Sequence, residues 1–264
     1  MSGTRGMTWI SSFAKDSIEI VGNLVAGYLL DTPPGKARIE DVLAVAPDLS
    51  TLHGFGRMVP ADERMPPVAM TFAHLDDGIL DHYTALTGKV IYLIQDPRAM
   101  VSQAILMRRV RGEQRVQVAH KIISGIPGKA GAIWQGHVRD WTSPDRVRAR
   151  FPGLADICVV RAEDLRSDPA GVLRRILEFL ELPEPVDDAR IERALADWPV
   201  EKVRESMLWH TPPGVGAFQE PLRPVDKAPT LPTLAEIGDE VEVAYRERLR
   251  NTPEFATFVQ QFGY

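Results

Sequence analysis

Length and composition place this chain among ordinary folded proteins. Its 264 residues are 44% hydrophobic and 25% charged, which is enough for one good core. The formal net charge of −5 offers no general attraction for nucleic acid or for an anionic membrane surface, so neither is expected as a partner. The single cysteine, Cys158, excludes an intramolecular disulfide and a thiolate metal cluster.

The chain also lacks the sequence patterns of secreted and membrane proteins. No apolar run reaches the roughly 20 residues of a membrane span, and the apolar stretch at residues 9–13 is too short for a signal peptide. We therefore expect a cytoplasmic protein. We expect one domain over residues 1–264, with a helical excursion at about 111–153 and a C-terminal helical tail at about 233–264. The tail would pack on the domain or against a partner, which leaves a homodimer open.

The chain opens with a predicted strand and a predicted helix. The strand covers residues 8–13, and the helix covers about residues 17–30, with its apolar side chains on one face. Asp16 and Glu19 have the D-x-x-E spacing of a capping box, which predicts Asp16 as the N-cap. Two interpretations stay open. The helix is capped by its own carboxylates and needs no ligand, or its first amides and Lys15 hold an anion.

A histidine follows the second predicted strand. Residues 68–72 form a buried apolar run that ends at Ala73 and His74. A histidine at the carboxyl end of a strand can reach a bound substrate, and imidazole exchanges a proton near neutral pH, which suits a general base. The alternative is a surface histidine that is hydrogen-bonded to Asp76 or Asp77. The other histidines have no metal-ligand spacing, so we expect no metal site.

The third predicted strand passes directly into a helix. Residues 90–94 are too few for a helix and rich in β-branched side chains, which predicts a strand buried on both faces. Asp96 is a good N-cap and Pro97 a good first helical residue. Ligands of parallel sheets bind outside the carboxyl ends of the strands. Gln95, Arg98 and Ser102 therefore lie where a site is expected.

The segment between the third and fourth strands carries large aromatic groups. Trp134, His137 and Trp141 recur at helical spacing, and they either pack against the core or line a pocket. The fourth strand is predicted at residues 156–160. Asp168 then caps a helix that has a regular apolar face.

Together these segments resemble the PAPS-dependent sulfotransferases. Residues 7–29 are similar to the family's opening strand, phosphosulfate loop and first helix. The run from Asp96 to Arg98, with Ser102 one turn later, resembles its 3′-phosphate segment, and residues 161–165 resemble its R-Y-E-D-L motif. The resemblance implies an α/β protein with a P-loop-like sulfotransferase fold, in which a parallel β-sheet is flanked by helices on both faces.

The resemblance also implies roles for particular residues. PAPS would be the donor, and a small molecule with a hydroxyl or amine group would be the acceptor. Lys15 would stabilise the transferred group and its leaving oxygen, and His74 would be the base. The residues that fall on cofactor-binding positions are Lys15, Ser17, Gln95, Ser102 and Gly214.

Several positions depart from the family pattern, and they define an alternative. Gln95 replaces an arginine, Ala162 replaces a tyrosine that lies beside the adenine, and the loop at residues 211–214 lacks the family's basic residues. The nearest residues that could replace the lost contacts to the nucleotide are Arg98, Arg108 and Arg109. The alternative is a diverged protein of this fold that no longer binds PAPS and uses the same site for a different reaction or ligand.

Overall fold

A computed structural model describes residues 6–33, 36, 39–49, 67–108, 112–124, 134–199 and 232–264, with the backbone only at residues 15, 16, 39, 40 and 106–108. Within this part of the chain four strands form one parallel sheet in the order β2-β1-β3-β4. They are β1 (Met7–Ser12), β2 (Val68–Thr71), β3 (Thr87–Ile94) and β4 (Asp156–Arg161).

Helices flank the sheet on both faces, which confirms the predicted fold class. A short 3-10 helix also covers Gly78–Tyr83. The described α-helices are α1 (Lys15–Leu30), α2 (Ile39–Val45), α3 (Pro97–Arg108), α4 (Glu113–Ser124), α5 (Trp134–Thr142), α6 (Pro144–Arg150), α7 (Asp164–Ser167), α8 (Pro169–Leu180), α9 (Asp188–Asp197), α10 (Leu234–Ile237), α11 (Asp239–Asn251) and α12 (Pro253–Gln261). No helix among the residues described is long and apolar enough to cross a membrane.

The chain forms two compact units. The first contains Met1–Ile94 and Arg139–Val200, and the second contains Gln95–Val138 and Glu201–Tyr264. The whole sheet belongs to the first unit. Residues 68–71 of the edge strand β2 and residues 90–94 of the central strand β3 are buried, as the apolar runs there predict, because helices cover both faces of the sheet. Phe72, the last residue of the first predicted run, lies beyond β2 and is exposed.

The start of α1 differs from its prediction. The helix begins at Lys15 with Ala14 as its N-cap, so Asp16 is already inside the first turn and the predicted capping box is wrong. The chain passes from β1 to α1 through only Phe13 and Ala14, and the Ser12 hydroxyl accepts the Ala14 N–H at 3.0 Å. Alanine has no side-chain oxygen, and no side chain at the N-cap takes up the first helical amides.

Other helix boundaries also differ from their predictions. The helix predicted to begin at residue 191 and run to 208 begins at Asp188 and ends at Asp197, and the rest of that range is largely outside the described residues. The single C-terminal helix predicted over residues 234–249 is interrupted at Gly238, whose φ of 167° and ψ of 139° are extended and not helical. The short helix before it, α10, begins with a capping box of Thr233 and Glu236.

The aromatic residues of α5 pack in the interior. Trp134, His137 and Trp141 have exposed fractions of 2%, 0% and 0%. Of the two interpretations, packing against the core is the one that fits. Both indole N–H groups also donate to main-chain carbonyls, that of Trp134 to Gln95 at 3.0 Å and that of Trp141 to Ala73 at 3.1 Å.

Candidate active site

The first unit brings the segments that carry Lys15 and His74 to one edge of the sheet. β1 and β2 are parallel neighbours, and Ser11 is paired with Thr71 near their carboxyl ends. Lys15 starts the helix that follows β1, and His74 lies just beyond β2. The Phe13 and His74 rings meet edge to face with centroids 6.4 Å apart. The two segments therefore touch where parallel sheets bind ligands.

Main-chain hydrogen bonds hold the segment around His74. The Ala73 N–H donates to the Thr71 hydroxyl at 3.1 Å, and the Ala73 carbonyl accepts from the Trp141 indole. The His74 carbonyl accepts the Asp77 N–H at 3.0 Å. The backbone on both sides of the imidazole is thus fixed by partners, one of them far away in the sequence.

The side chains of this segment alternate between interior and surface. Thr71, Ala73 and Leu75 are buried, while Phe72 is 38% exposed and His74 is half-buried. An alternation with a period of two is typical of extended chain, so Phe72 and His74 face the same, open side. The surroundings of the candidate base are therefore aromatic on the Phe13 and Phe72 sides.

The start of α1 has features that favour binding of an anion. Lys15 occupies the first helical position, and the Ser17 side chain is 2% exposed in the first turn. The positive end of the helix dipole and the first amides lie at the carboxyl edge of the sheet, directly after β1. A negatively charged group bound at this edge would be stabilised by the helix start.

The second unit contains the segment that resembles the 3′-phosphate site. Asp96 caps α3, since its carboxylate accepts the Arg98 N–H at 2.7 Å, and Pro97 is the first helical residue, so both predictions are confirmed. The same carboxylate binds the Arg98 guanidinium, with Nη2 at 2.6 Å. Much of the charge of Arg98 is therefore neutralised within its own turn.

Gln95 and Ser102 are engaged by their own unit. The Gln95 amide donates to Gln103 Oε1 at 3.2 Å, and its own Oε1 is buried without a hydrogen-bond partner in the described structure. The Ser102 hydroxyl contacts two main-chain carbonyls, Arg98 at 3.0 Å and Pro232 at a shorter distance. A hydroxyl has one proton, so a phosphate oxygen would have to compete with these carbonyls for it.

A groove of about 610 Å³ in the second unit borders this segment. Arg98 and Ser102 line it from α3, and Tyr245 and Arg246 line it from α11. Burial, aided by the charge of Asp96 and opposed by Arg98, raises the pKa of the Tyr245 phenol to about 12. The phenol therefore stays protonated and can donate a hydrogen bond over the whole physiological range.

Several of the predicted site residues belong to parts of the chain that the structure does not describe. Gly214, Arg109 and the loop at residues 211–214 lie outside the described residues, as does the Arg108 side chain. Within the described part of the chain, no group of histidine, cysteine, aspartate and glutamate side chains could hold a metal ion. The sequence did not predict the hydrogen bond from the Trp141 indole to the Ala73 carbonyl. Helical spacing predicts that Trp141 lies on a buried face, but it does not predict which residue that face contacts.

Comparison with known proteins identifies the family of this chain. A model of the sulfotransferase domain matches residues 58–211, more than half of the chain. In fold the chain is similar to retinol dehydratase in complex with androsterone and inactive cofactor PAP, with 15% identity, a TM-score of 0.51, and coverage of 93% of this chain and 81% of that chain. It is also similar to retinol dehydratase in a complex with retinol and PAP, with 15% identity and a TM-score of 0.50, and that match covers 96% of this chain and 83% of that chain. At this identity the similarity concerns the fold alone, and no curated protein sequence matches. The extent of the domain match shows that this chain belongs to the sulfotransferase family.

Proposed function

We propose that this protein transfers a sulfuryl group from PAPS to a hydroxyl or amine group of a small-molecule acceptor. His74 takes the proton of the acceptor, and Lys15 stabilises the transferred group and the leaving oxygen. Bound PAPS supplies the sulfuryl group and a phosphate leaving group. Transfer of this kind, like phosphoryl transfer, depends mainly on positioning and charge stabilisation. A lysine, a helix start and one base are suited to that task.

One observation carries the proposal. The ends of β1 and β2 are in register, and the segments that follow them are in contact through Phe13 and His74. A nucleophile near His74 would therefore approach a group held at the start of α1. Proximity of this kind supplies a large part of the rate enhancement in group transfer.

The two ends of PAPS fit the chain differently. The phosphosulfate end suits the start of α1, because Ala14 leaves the first amides without a side-chain cap. The resemblance assigns the 3′-phosphate end to Gln95 and Ser102, whose hydrogen-bond donors already have internal partners. Binding of that phosphate would have to replace those hydrogen bonds. We therefore expect weaker binding of the nucleotide than its full set of charges would allow.

The acceptor is expected to be small and partly apolar. Phe72 and Phe13 offer aromatic surface beside His74. Retinol dehydratase, which has a similar fold, was solved with androsterone and with retinol, which supports a small-molecule acceptor for this chain. These features define the class of acceptor that we expect.

The test is calorimetric titration of the purified protein with PAP at low salt. We expect saturable binding near the micromolar range, weakened about tenfold or more in Lys15→Ala and in Ser102→Ala, because each change removes a contact to a charged group. Ser167→Ala is a matched control, since its hydroxyl also donates to a main-chain carbonyl, that of Asp164. No binding at millimolar PAP would contradict the proposal and favour the diverged alternative.

A second measurement tests the reaction itself. The protein is incubated with sulfur-labelled PAPS and a panel of aromatic and aliphatic alcohols and amines. Label transferred to an acceptor, and lost in Lys15→Ala, supports the assignment. PAP binding without transfer to any acceptor class would contradict the catalytic part and leave a nucleotide-binding protein.

A further inference from the structure

We propose that Trp141 and Arg150 are positioning residues for His74, and the inference rests on the proposed role of His74 as base. Both act on the main chain of the loop that carries the imidazole, and neither touches the site of reaction in the proposed scheme. Trp141 lies near the end of α5, and Arg150 is the last residue of α6.

Trp141 fixes the peptide group directly before His74. Its indole N–H donates to the Ala73 carbonyl at 3.1 Å, in a buried setting. The N–H of Ala73 is also taken, by the Thr71 hydroxyl at 3.1 Å. With both groups of Ala73 bonded, the peptide plane that leads into His74 cannot rotate without breaking a buried hydrogen bond.

Arg150 fixes the far side of the same loop. Its guanidinium Nη2 donates to the Asp77 carbonyl at 3.1 Å and pairs with the Asp81 carboxylate. The Asp77 N–H in turn donates to the His74 carbonyl at 3.0 Å. Arg150 therefore reaches His74 through a single residue.

The two positioning residues share one support. The Phe151 ring, next to Arg150 in the chain, packs against Trp141 with centroids 6.2 Å apart. Both Trp141 and Phe151 are fully buried, so close-packed aromatic contact holds α5 against the end of α6. A base that must meet an acceptor hydroxyl within hydrogen-bond reach needs such a fixed backbone.

The experiment compares two substitutions with two matched controls. Trp141→Phe and Arg150→Gln remove the donors that hold the loop. Trp9→Phe removes an equally buried indole donor, which bonds Thr87 at 2.9 Å at the amino end of the sheet. Arg175→Gln removes a guanidinium that donates to the Val159 carbonyl at 2.8 Å. The controls report the general effect of losing such bonds.

The main readout is the NMR signal of the His74 ring in protein labelled at histidine Cε1, assigned by its loss in His74→Gln. This signal does not depend on sulfuryl transfer, so it separates the present inference from the proposed function. We expect the signal to shift or broaden in Trp141→Phe and Arg150→Gln but not in the controls. An unchanged signal in both loop variants, with melting temperatures lowered as in the controls, would overturn the inference.

A kinetic readout follows if transfer is found. Displacement of the base should lower kcat by about tenfold or more, with the KM of the acceptor nearly unchanged. The controls should keep the wild-type kcat. If Trp141→Phe does not fold, Arg150→Gln decides alone, because Arg150 is partly exposed and its loss leaves the core intact. A wild-type kcat in Arg150→Gln would then count against the inference.

Discussion

Asp96 binds both the main chain and the side chain of Arg98, accepting the main-chain N–H at 2.7 Å and the guanidinium Nη2 at 2.6 Å. The first contact caps α3, and the second pairs with a cation of the segment that resembles a 3′-phosphate site. Helix start and ion pair are thus made by one carboxylate. The two functions can be separated because asparagine also caps helices but carries no charge.

Asp96→Asn should strengthen PAP binding. The substitution keeps the cap and releases the guanidinium, and a partly exposed ion pair of this kind is worth up to about 1 kcal/mol, so affinity should rise by up to about fivefold. Calorimetry with PAP measures the change. Asp168→Asn is the control, since Asp168 caps α8 through the Gly171 N–H at 2.9 Å. Equal affinities in wild type, Asp96→Asn and Arg98→Ala would show that Arg98 does not contact the nucleotide.

His74→Gln should lower kcat strongly without affecting nucleotide binding. Loss of a general base lowers kcat by about 10²- to 10⁴-fold, and glutamine keeps a polar side chain of similar size. Steady-state kinetics and PAP titration of the same preparation measure the two quantities. His82→Gln is the control, because His82 is exposed on the short 3-10 helix. A wild-type kcat in His74→Gln would remove His74 from the mechanism.

Tyr245 should make the protein sensitive to alkali. Its pKa is raised from 10.0 to about 12 in the folded state. Below pH 10 the phenol is protonated in both the folded and the unfolded state, and its contribution to the free energy of unfolding is fully present. Between pH 10 and about 12 only the unfolded chain loses the proton, so stability falls, by about 3 kcal/mol for the full shift.

Urea unfolding at several pH values from 9 to about 12 measures this dependence. Tyr245→Phe should show a smaller loss of unfolding free energy across that range than wild type. Some loss will remain, because burial also raises the pKa of Tyr92. Identical slopes for wild type and Tyr245→Phe would show that Tyr245 does not hold its proton in the folded state.

Gly88→Ala should destabilise the first unit. A Cβ at Gly88 would lie 2.9 Å from the Gly6 Cα, and main-chain atoms cannot move aside as a flexible side chain can. We expect a loss of about 1–3 kcal/mol in urea unfolding. Gly78→Ala is the control, since its nearest contact would be a side-chain oxygen of Asp81 at 3.7 Å. Equal stabilities of the two variants would mean that β1 and β3 can separate at this point.

Local sequence patterns predicted most of the fold. Apolar runs located the four strands, and Asp96 with Pro97 and Asp168 with Pro169 marked two helix starts, because capping and backbone restriction act within one turn. The capping box at Asp16 failed for a reason that is not local. Only two residues connect β1 to α1, which packs on the sheet. The helix therefore starts at Lys15, two residues before the start at Ser17 that the capping box predicts.

The candidate site shows the same division. The sequence by itself determined that Lys15 and His74 follow strands and that Ser102 lies one turn into α3, since those positions depend on nearby residues. Only the tertiary structure decided that β1 lies beside β2 and that Trp141 holds Ala73 from 68 positions away. It also decided that the Ser102 hydroxyl meets the Pro232 carbonyl, 130 positions along the chain. Hydrogen bonds of this range depend on how whole elements pack, and no local pattern of residue types encodes their partners.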